Sequence, residues 1–305
     1  MVSALMGESA GVLTSCLWTG SSLLFTSAGR RIGWVSVNAY RTSMAILLLV
    51  CAHIVLLGAL LPAASGAQWF WLGLSGVVGL GVGDFGLFAA YVTIGPRRSV
   101  LLQASSPIFA LVGAYALFGE TISFLSLIGI VVTLIGIFIV LLEREIMFEE
   151  KILANGRRRW GLFFGLISAM GQGFGVVFSR EGMYAGVSAA MNPVSAALIR
   201  MLWAGPFVWA CVILAGKLPE ARRAAGNGVG LKYTAAGAVI GPFLGMTLSM
   251  IAVANAQAGV AQTLMSLMPV FIIPVIWIMY NDKTNARGIL GAIVAVIGVA
   301  VLFLT

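Results

Sequence analysis

Between Phe124 and Leu142 the chain reads FLSLIGIVVTLIGIFIVLL, an apolar run without a charged side chain. A helix needs about 20 mostly apolar residues to cross the hydrocarbon core of a bilayer. This run is therefore predicted to be a membrane-spanning helix. Nine comparable runs bring the predicted number of spans to ten. Their approximate bounds are 9–28, 35–57, 69–91, 96–118, 124–142, 160–179, 193–215, 231–253, 258–280 and 285–304.

The composition of the whole chain agrees with this interpretation. Of the 305 residues, 60% are hydrophobic and 9% are charged, and the mean hydropathy is +1.05. Soluble domains average about 25% charged residues. A soluble fold of this length cannot bury so much apolar surface, which excludes an ordinary globular enzyme. High hydrophobicity with low charge also excludes disorder. The predicted class is an all-α polytopic membrane protein.

The first half of the chain recurs in the second half at a nearly constant shift. The matched positions are Pro107 with Pro269, Glu120 with Asp282, Gly129 with Gly291 and Gly136 with Gly298 (shift 162), and Arg41 with Arg200 (shift 159). Because a unit of five spans is odd-numbered, the second copy must be inverted in the membrane. Inverted repeats are typical of secondary transporters. The predicted units are 1–142 and 160–305, joined by a polar loop over 143–159.

Basic residues are concentrated in the loops after spans 1, 3, 5, 7 and 9, which form what we call the basic face. They are Arg30, Arg31, Arg97, Arg98, Arg144, Lys151, Arg157, Arg158, Arg159, Lys217, Arg222, Arg223, Lys232, Lys283 and Arg287. The opposite face and both termini hold only Arg180. The positive-inside rule then predicts a cell-membrane protein with both termini outside the cytoplasm. Basic residues scattered between apolar runs argue against a nucleic-acid partner.

Several short stretches resemble the EamA repeat of the drug/metabolite transporter superfamily. They are Leu17-Trp18-Thr19-Gly20-Ser21, Tyr40-Arg41, Ser105-Ser106-Pro107 and Phe118-Gly119-Glu120, with Leu267-Met268-Pro269 and Asn281-Asp282 in the second copy. The resemblance covers nearly the whole chain. It implies a small-solute carrier, often an exporter of amino acids or related metabolites. It also implies a central cavity lined by spans 1, 3, 4, 6, 8 and 9.

The chain departs from this family pattern in ways that affect orientation. Many relatives carry basic residues between spans 2 and 3 and have cytoplasmic termini, whereas residues 58–68 here carry no charge. Asp282 replaces the Glu expected in the second copy, and Gln172 stands roughly where the first copy has Trp18. The predicted orientation is therefore taken from the charges of this chain alone.

Asp84 is the clearest candidate for a functional charge. It follows a glycine-rich segment in the latter half of span 3, where an ionisable group costs roughly 2.5–3.5 kcal/mol and by default marks a transport pathway. We predict that it faces the cavity, binds substrate and, if transport is coupled, carries the proton. The alternative is a carboxylate paired with Arg97 or Arg98 near the interface. Its repeat partner is Met246, so the second half has no matching acid.

Four uncharged side chains complete the predicted substrate site. Gln103, Gln172 and Gln262 lie within predicted spans, where an amide either binds polar groups of a solute or joins helices. Trp18 in span 1 either stacks on a substrate or faces lipid. Together with Asp84, this set suits a zwitterion or another polar metabolite.

Two prolines and two arginines are matched between the halves. Pro107 and Pro269 are predicted to kink spans 4 and 9, because proline removes a helical hydrogen bond. Such kinks either open a path for gating or only shape the bundle. Arg41 and Arg200 lie six or seven residues inside spans 2 and 7, where a long side chain can snorkel to the interface. A structural role, as an interface anchor or in packing between the repeats, is therefore predicted for both arginines, with substrate binding as the alternative.

Glycine stripes occur in two spans that are repeat partners. Gly79 and Gly83 lie four residues apart in span 3, as do Gly237, Gly241 and Gly245 in span 8. Small residues at this spacing allow helix backbones to approach closely in a membrane. Close packing against neighbouring helices is therefore predicted along both stripes.

Enzymatic chemistry is the alternative interpretation. Gly81-Val82-Gly83-Asp84 matches the G-x-G-D of intramembrane aspartyl proteases, but that reaction needs two carboxylates. No P-loop occurs, and the single histidine, His53, forms no catalytic or metal-binding set. We therefore predict a secondary transporter without cofactor or metal. It moves a small solute such as an amino acid, outward and with or without protons, and a membrane-embedded lipid-modifying enzyme or protease is the runner-up.

Overall fold

The computed structural model describes residues 2–94, 99, 102–142, 158–271 and 286–303. All regular secondary structure in these ranges is helical, which confirms the predicted all-α class. The helices are α1 (Val2–Ile32), α2 (Trp34–Leu57), α3 (Gly66–Ser75), α4 (Asp84–Ile94), α5 (Ser106–Phe118), α6 (Phe124–Leu142), α7 (Arg158–Tyr184), α8 (Pro193–Leu214), α9 (Leu218–Ala224), α10 (Gly228–Ala238), α11 (Met246–Asn255), α12 (Ala258–Met265) and α13 (Ala286–Leu302).

Five described helical stretches are each long and apolar enough to cross a bilayer. They are Trp34–Leu57, Gly66–Ala90, Arg159–Tyr184, Pro193–Leu214 and Gly228–Asn255. Shorter apolar helices cover Ser106–Phe118, Phe124–Val140, Ala258–Phe271 and Ala286–Leu302. α7 already begins at Arg158, so the last two residues of the predicted loop 143–159 are helical. The rest of that loop lies outside the described residues.

A π-helical segment occurs at the same place in each half. Gly76–Gly83 joins α3 to α4, and Val239–Gly245 joins α10 to α11. The next residues, Asp84 and Met246, are separated by the 162-residue shift. π-Helical turns are rare and are found mostly at functional sites. The two halves therefore share an unusual backbone feature as well as their glycines and prolines.

Helices α2 and α8 occupy equivalent places in the two halves and run antiparallel. The indole Nε1 of Trp209 donates a hydrogen bond to Ser43 Oγ at 2.9 Å. Near the other ends of these helices, His53 Nε2 lies 3.0 Å from Ser195 Oγ. Early residues of one helix thus meet late residues of the other, as the predicted inversion of the repeats requires.

Helices α6 and α13 form a second antiparallel pair of repeat partners, and glycines set their spacing. A Cβ on Gly129 would lie 2.8 Å from the side chain of Leu302, near the C-terminal end of α13. A Cβ on Gly136 would lie 2.6 Å from the carbonyl oxygen of Gly291, near its N-terminal end. The glycines that reveal the repeat in the sequence therefore allow the repeats to pack in opposite directions.

The two halves interleave around the centre of the bundle. α7 of the second half packs on α3 and α4, and α1 of the first half packs on α10 and α11. A Cβ on Gly171 would lie 2.7 Å from the Cα of Gly83, and one on Gly175 would lie 2.9 Å from the Cα of Gly79. The two backbones are thus in contact along the stripe in span 3, as predicted, and only glycine permits this spacing.

Candidate functional site

A cavity of about 340 Å³ lies between the two halves. Its wall combines α1, α2, the helical segments around Asp84 and Met246, and single residues of α7 and α8. The lining residues are Trp18, Ser21, Ser22, Phe25, Thr26, Gly29, Trp34, Val37, Arg41, Thr42, Leu80, Asp84, Leu87, Phe88, Gln103, Gln172, Met201, Gly241, Pro242, Met246 and Met268. Gly29 and Trp34 flank the basic pair of the first loop, so the cavity extends toward the basic face.

The glycine stripe of span 8 makes room for the aromatic wall of this cavity. A Cβ on Gly245 would lie 2.7 Å from the indole nitrogen of Trp18, and one on Gly237 would lie 2.5 Å from the ring of Phe25. The stripe therefore receives bulky α1 side chains, whereas the span 3 stripe meets another backbone. Because glycine has no side chain, the two rings of α1 can pack against span 8 where they line the cavity.

Four of the five predicted substrate-site residues line the cavity. They are Trp18, Asp84, Gln103 and Gln172. The fifth, Gln262, is buried in an adjacent cavity of about 70 Å³ that is also lined by Trp18, Gln103 and Gln172. Its Nε2 donates a hydrogen bond to Ser106 Oγ at 2.8 Å, which joins α12 to α5.

Asp84 is held by a cation and an amide. One guanidinium nitrogen of Arg41, Nη2, forms an ion pair with Asp84 Oδ2. Gln172 Nε2 donates to Asp84 Oδ1 at 2.9 Å and is also 3.3 Å from the carbonyl oxygen of Gly79. The carboxylate therefore connects α2 of the first half with α7 of the second half. It lies on the cavity wall, and its interaction partners are charged or polar.

Arg41 has a different environment from the interface position expected of it. Its Nε donates to Asn38 Oδ1 at 2.8 Å, and its guanidinium carbon lies 5.6 Å and 5.7 Å from the ring centroids of Phe25 and Phe88. The side chain is thus held over the cavity by a carboxylate, an amide and two aromatic rings. The sequence gives its depth in span 2, but the partnership with Asp84 depends on how spans 2 and 3 face each other.

Arg200 is buried inside the bundle, with 4% of its surface exposed. Its Nη1 lies 3.2 Å from the Sδ of Met246 and 3.7 Å from the Sδ of Met250. Its Nε has no hydrogen-bond partner among the described residues. Thioether sulfurs are weak acceptors, so this guanidinium is poorly satisfied. A side chain that is buried this deeply in the bundle does not extend to the membrane interface.

At the opposite face, a cluster of polar contacts joins the two halves. Arg180 Nε lies 3.3 Å from Glu120 Oε2, and the backbone N–H of Ala258 donates to Glu120 Oε1 at 3.1 Å. Arg180 Nη1 also donates to the carbonyl oxygens of Val253, at 2.9 Å, and Ala256. The sequence alone does not predict this cluster. The isolated Arg180, the only basic residue on that face, was the available signal.

The predicted proline kinks are helix interruptions. In the first half, the helix breaks into a turn at 104–105 and Pro107 becomes the second residue of α5. In the second half, the turn is at 266–267 and Pro269 is the second residue of the next helical stretch. Proline fits the first turn of a helix, where its missing N–H has no intrahelical acceptor. At both positions, a short turn just before the proline interrupts the helix where the kink was predicted.

A sequence model of the EamA-like transporter family matches residues 5–142 and 159–304. The chain belongs to this family. One crystal structure of a protein superposes with a TM-score of 0.71 at 17% identity, and the match covers 99% of this chain and 97% of that one. At such low identity, the likeness shows a shared fold and nothing about activity. No curated protein matches the chain. The apolar helices and the family membership together show that the protein is an integral membrane transporter.

The described part of this EamA-like transporter contains few groups that titrate or bind metals. The described residues contain no group of three or more His, Cys, Asp or Glu side chains that could hold a metal ion. Asp84 is the only carboxylate among the lining residues of the central cavity. His53 Nδ1 donates to the carbonyl oxygen of Ala59 at 2.6 Å, so the ring is engaged at the end of its helix. Asp282 and the basic pair Arg97 and Arg98 lie outside the described residues.

Proposed function

We propose that this EamA-like transporter moves small zwitterionic metabolites, such as amino acids, out of the cell through ten membrane spans. The observation that carries the proposal is the Arg41–Asp84 ion pair on the wall of a cavity between inverted halves. A zwitterion carries one positive and one negative group, which are complementary to the carboxylate of Asp84 and the guanidinium of Arg41. Its ammonium group can take the place of Arg41 on Asp84, and its carboxylate can take the place of Asp84 on Arg41.

The rest of the cavity suits a solute with one polar end. Phe25, Phe88, Trp34 and Trp18 supply an aromatic wall, and the rings of Trp34 and Phe88 stack with centroids 5.6 Å apart. Small-molecule sites typically measure about 300–1,000 Å³ and are largely apolar with a few well-placed polar groups. A volume of about 340 Å³ lies at the small end of this range. It favours one small metabolite with an apolar side chain.

Alternating access supplies the mechanism. With the basic face in the cytoplasm and both termini outside, the cavity opens toward the cytoplasm and the cluster around Glu120 and Arg180 closes the outer side of the cell membrane. Substrate binding breaks the Arg41–Asp84 pair, which is a contact of the inward-open state. Inverted repeats permit the opposite state when the halves exchange conformations. Export follows when the second state releases the solute outside.

Proton coupling is a separate part of the proposal and depends on Asp84. A protonated Asp84 would no longer hold Arg41 by charge, so proton binding and substrate binding would both break the same ion pair. Proton coupling is tested by measuring amino-acid flux in liposomes that are loaded with an amino acid and exposed to an imposed pH gradient. Coupled transport predicts that the gradient drives wild-type flux. Asp84→Asn should abolish this drive while exchange persists at the higher solute concentrations that its weaker binding requires. Full pH-driven flux in that variant would eliminate the coupling role.

The substrate proposal is tested by thermal-shift measurements of purified protein against a panel of amino acids and their des-amino and decarboxylated analogues. Zwitterions should raise the melting temperature, whereas analogues with only one charged group should raise it less. The matched control is Glu220→Gln, which removes a carboxylate that is 41% exposed and pairs with Lys217 at 3.1 Å near the start of α9. A panel in which single-charge analogues bind as well as zwitterions would contradict the proposal.

A further inference from the structure

Arg200 occupies the place in the second half that Arg41 occupies in the first. Arg41 is the eighth residue of α2, which begins at Trp34, and Arg200 is the eighth residue of α8, which begins at Pro193. Both helices pack antiparallel as repeat partners. The two arginines are therefore equivalent under the pseudo-twofold relation between the halves.

The partner positions are equivalent as well, but their chemistry differs. Asp84 and Met246 each follow a π-helical segment directly, and each interacts with the arginine of its own half. In the first half this gives an ion pair on the cavity wall. In the second half the guanidinium of Arg200 meets a thioether, and its Nε has no hydrogen-bond partner among the described residues. Arg41 therefore contacts a carboxylate directly, whereas Arg200 interacts with Asp84 only from beyond ion-pair distance.

Met246 separates Arg200 from the substrate. Met246 lines the central cavity, whereas Arg200 does not. Asp84, which is paired with Arg41, offsets only part of the cost of burying the Arg200 charge. A buried cation without a direct ion partner is costly, so the burial of Arg200 disfavours the basic-face-open state. A conformation in which Arg200 reaches an anion would relieve that cost.

Inverted repeats define that conformation. When the halves exchange conformations, each arginine takes on the environment of the other. We infer that Arg200 is the anion-binding residue of the opposite-facing state, where it binds the carboxylate of the transported solute. The inference rests on the proposed carrier function. In the basic-face-open state Arg200 has no direct ion partner, and Met246 offers no charge that competes for it. In the opposite state, the solute carboxylate supplies that direct partner.

A carboxylate built into the protein tests this inference without a known substrate. In Met246→Asp, the new carboxylate gives Arg200 an ion partner in the basic-face-open state, where Met246 already contacts its guanidinium. The cost that the solute carboxylate is inferred to relieve in the opposite state is then relieved in this state. Reporter cysteines are placed at Ala258, which is fully buried in the closed opposite face, and at Ser22 in the cavity wall. The three native cysteines are first changed to serine. Labelling of purified protein with a polar maleimide then reports which face is open.

We expect Met246→Asp to lower the labelling rate at the Ala258 reporter about tenfold, within the usual range of coupling between sites, while the Ser22 reporter stays accessible. Met246→Asn, which has the shape of the aspartate without its charge, should leave both rates within about twofold of wild type. The double variant Met246→Asp with Arg200→Met should label like Arg200→Met alone, because the new carboxylate then has no partner. Unchanged or faster labelling at the Ala258 reporter in a folded Met246→Asp protein, or an equal change in Met246→Asn, would overturn the inference.

Arg200→Met alone covers the case in which Met246→Asp fails to fold. Removing the buried cation should raise the melting temperature without ligand and lower labelling at the Ala258 reporter severalfold. A lower melting temperature with unchanged labelling would assign Arg200 a purely structural role. These readouts need no solute. If the protein moves no amino acid but shows these changes in labelling and melting temperature, the proposed substrate is wrong and the inferred role of Arg200 still stands.

Discussion

Replacing Asp84 by asparagine tests the cavity chemistry directly. Asp84 accepts from Arg41 and from Gln172, and its side chain is only 12% exposed. Asparagine has nearly the same shape but offers one acceptor and one donor group. Its amide nitrogen must face either the guanidinium or the amide of Gln172, both of which are donors. The variant therefore loses the ion pair and leaves Arg41 without a counter-charge.

The size of the effect follows from this environment. Removing one partner of a fully buried ion pair costs roughly 3–5 kcal/mol. The Arg41 and Asp84 side chains are 17% and 12% exposed and face a cavity. Solvent screening reduces the cost, so we expect about 1–3 kcal/mol and a melting temperature lower by several degrees. A zwitterion also loses the partner of its ammonium group, which weakens binding by roughly 10–100-fold.

A double-mutant cycle separates these effects. Arg41→Met, Asp84→Asn and the combined variant are compared in thermal unfolding and in amino-acid binding. The double variant should be more stable than the sum of the single effects predicts, because each single change strands a charge that the double change removes. Binding of zwitterions should stay weak in all three. Des-amino analogues should bind Asp84→Asn no more weakly than wild type, since Asp84 no longer competes for Arg41.

Two results would refute this reasoning. Additive stability effects would mean that Arg41 and Asp84 do not interact in the folded protein. Unchanged zwitterion binding in Asp84→Asn would mean that the carboxylate is a structural group, and the cavity would then need another recognition element. Glu220→Gln, the exposed control, should change neither stability nor binding measurably.

Three further predictions concern packing and closure. Glu120→Gln removes the ion pair at the closed face and should raise polar-maleimide labelling of the reporter cysteine at Ala258 about fivefold, roughly 1 kcal/mol; unchanged labelling would contradict a closing role. Gly171→Ala forces two helix backbones apart and should cost about 1–3 kcal/mol in thermal unfolding, whereas Gly20→Ala, which meets nothing within 4 Å, should be tolerated. Gln262→Ala should lower stability by about 1 kcal/mol, with KM for transport changed less than twofold if its amide only joins helices; a large rise in KM would instead place it in substrate binding.

The sequence predicts much of the cavity because membrane burial makes polar residues conspicuous. A carboxylate or amide inside an apolar run is costly to expose to lipid, so it faces the interior of the bundle. Four residues predicted from the sequence to line the substrate site do line one cavity, namely Trp18, Asp84, Gln103 and Gln172. It is less informative for Gln262, whose amide joins two helices beside the cavity. For such a residue, binding and structural roles share the same sequence signal.

The partners of these residues could not be predicted, because pairing depends on which faces of two helices meet. The sequence offered Arg97 or Arg98 as an alternative partner for Asp84, but the structure pairs Asp84 with Arg41. The cluster between Glu120 and Arg180 was missed for the same reason. Each pair joins residues far apart in sequence, and periodicity within a span does not determine the rotation of one span against another.

The amino-acid order alone determined the class, the number of apolar runs and the duplication, because lipid restricts a spanning chain to a few backbone solutions and because a repeat leaves matched glycines and prolines. Tertiary packing decided where each charge ended up. Arg41 and Arg200 hold equivalent places in the two copies, yet one lies on the cavity wall beside a carboxylate and the other is buried against sulfur. That difference arises from a single conformation of two inverted halves, in which equivalent residues experience different surroundings.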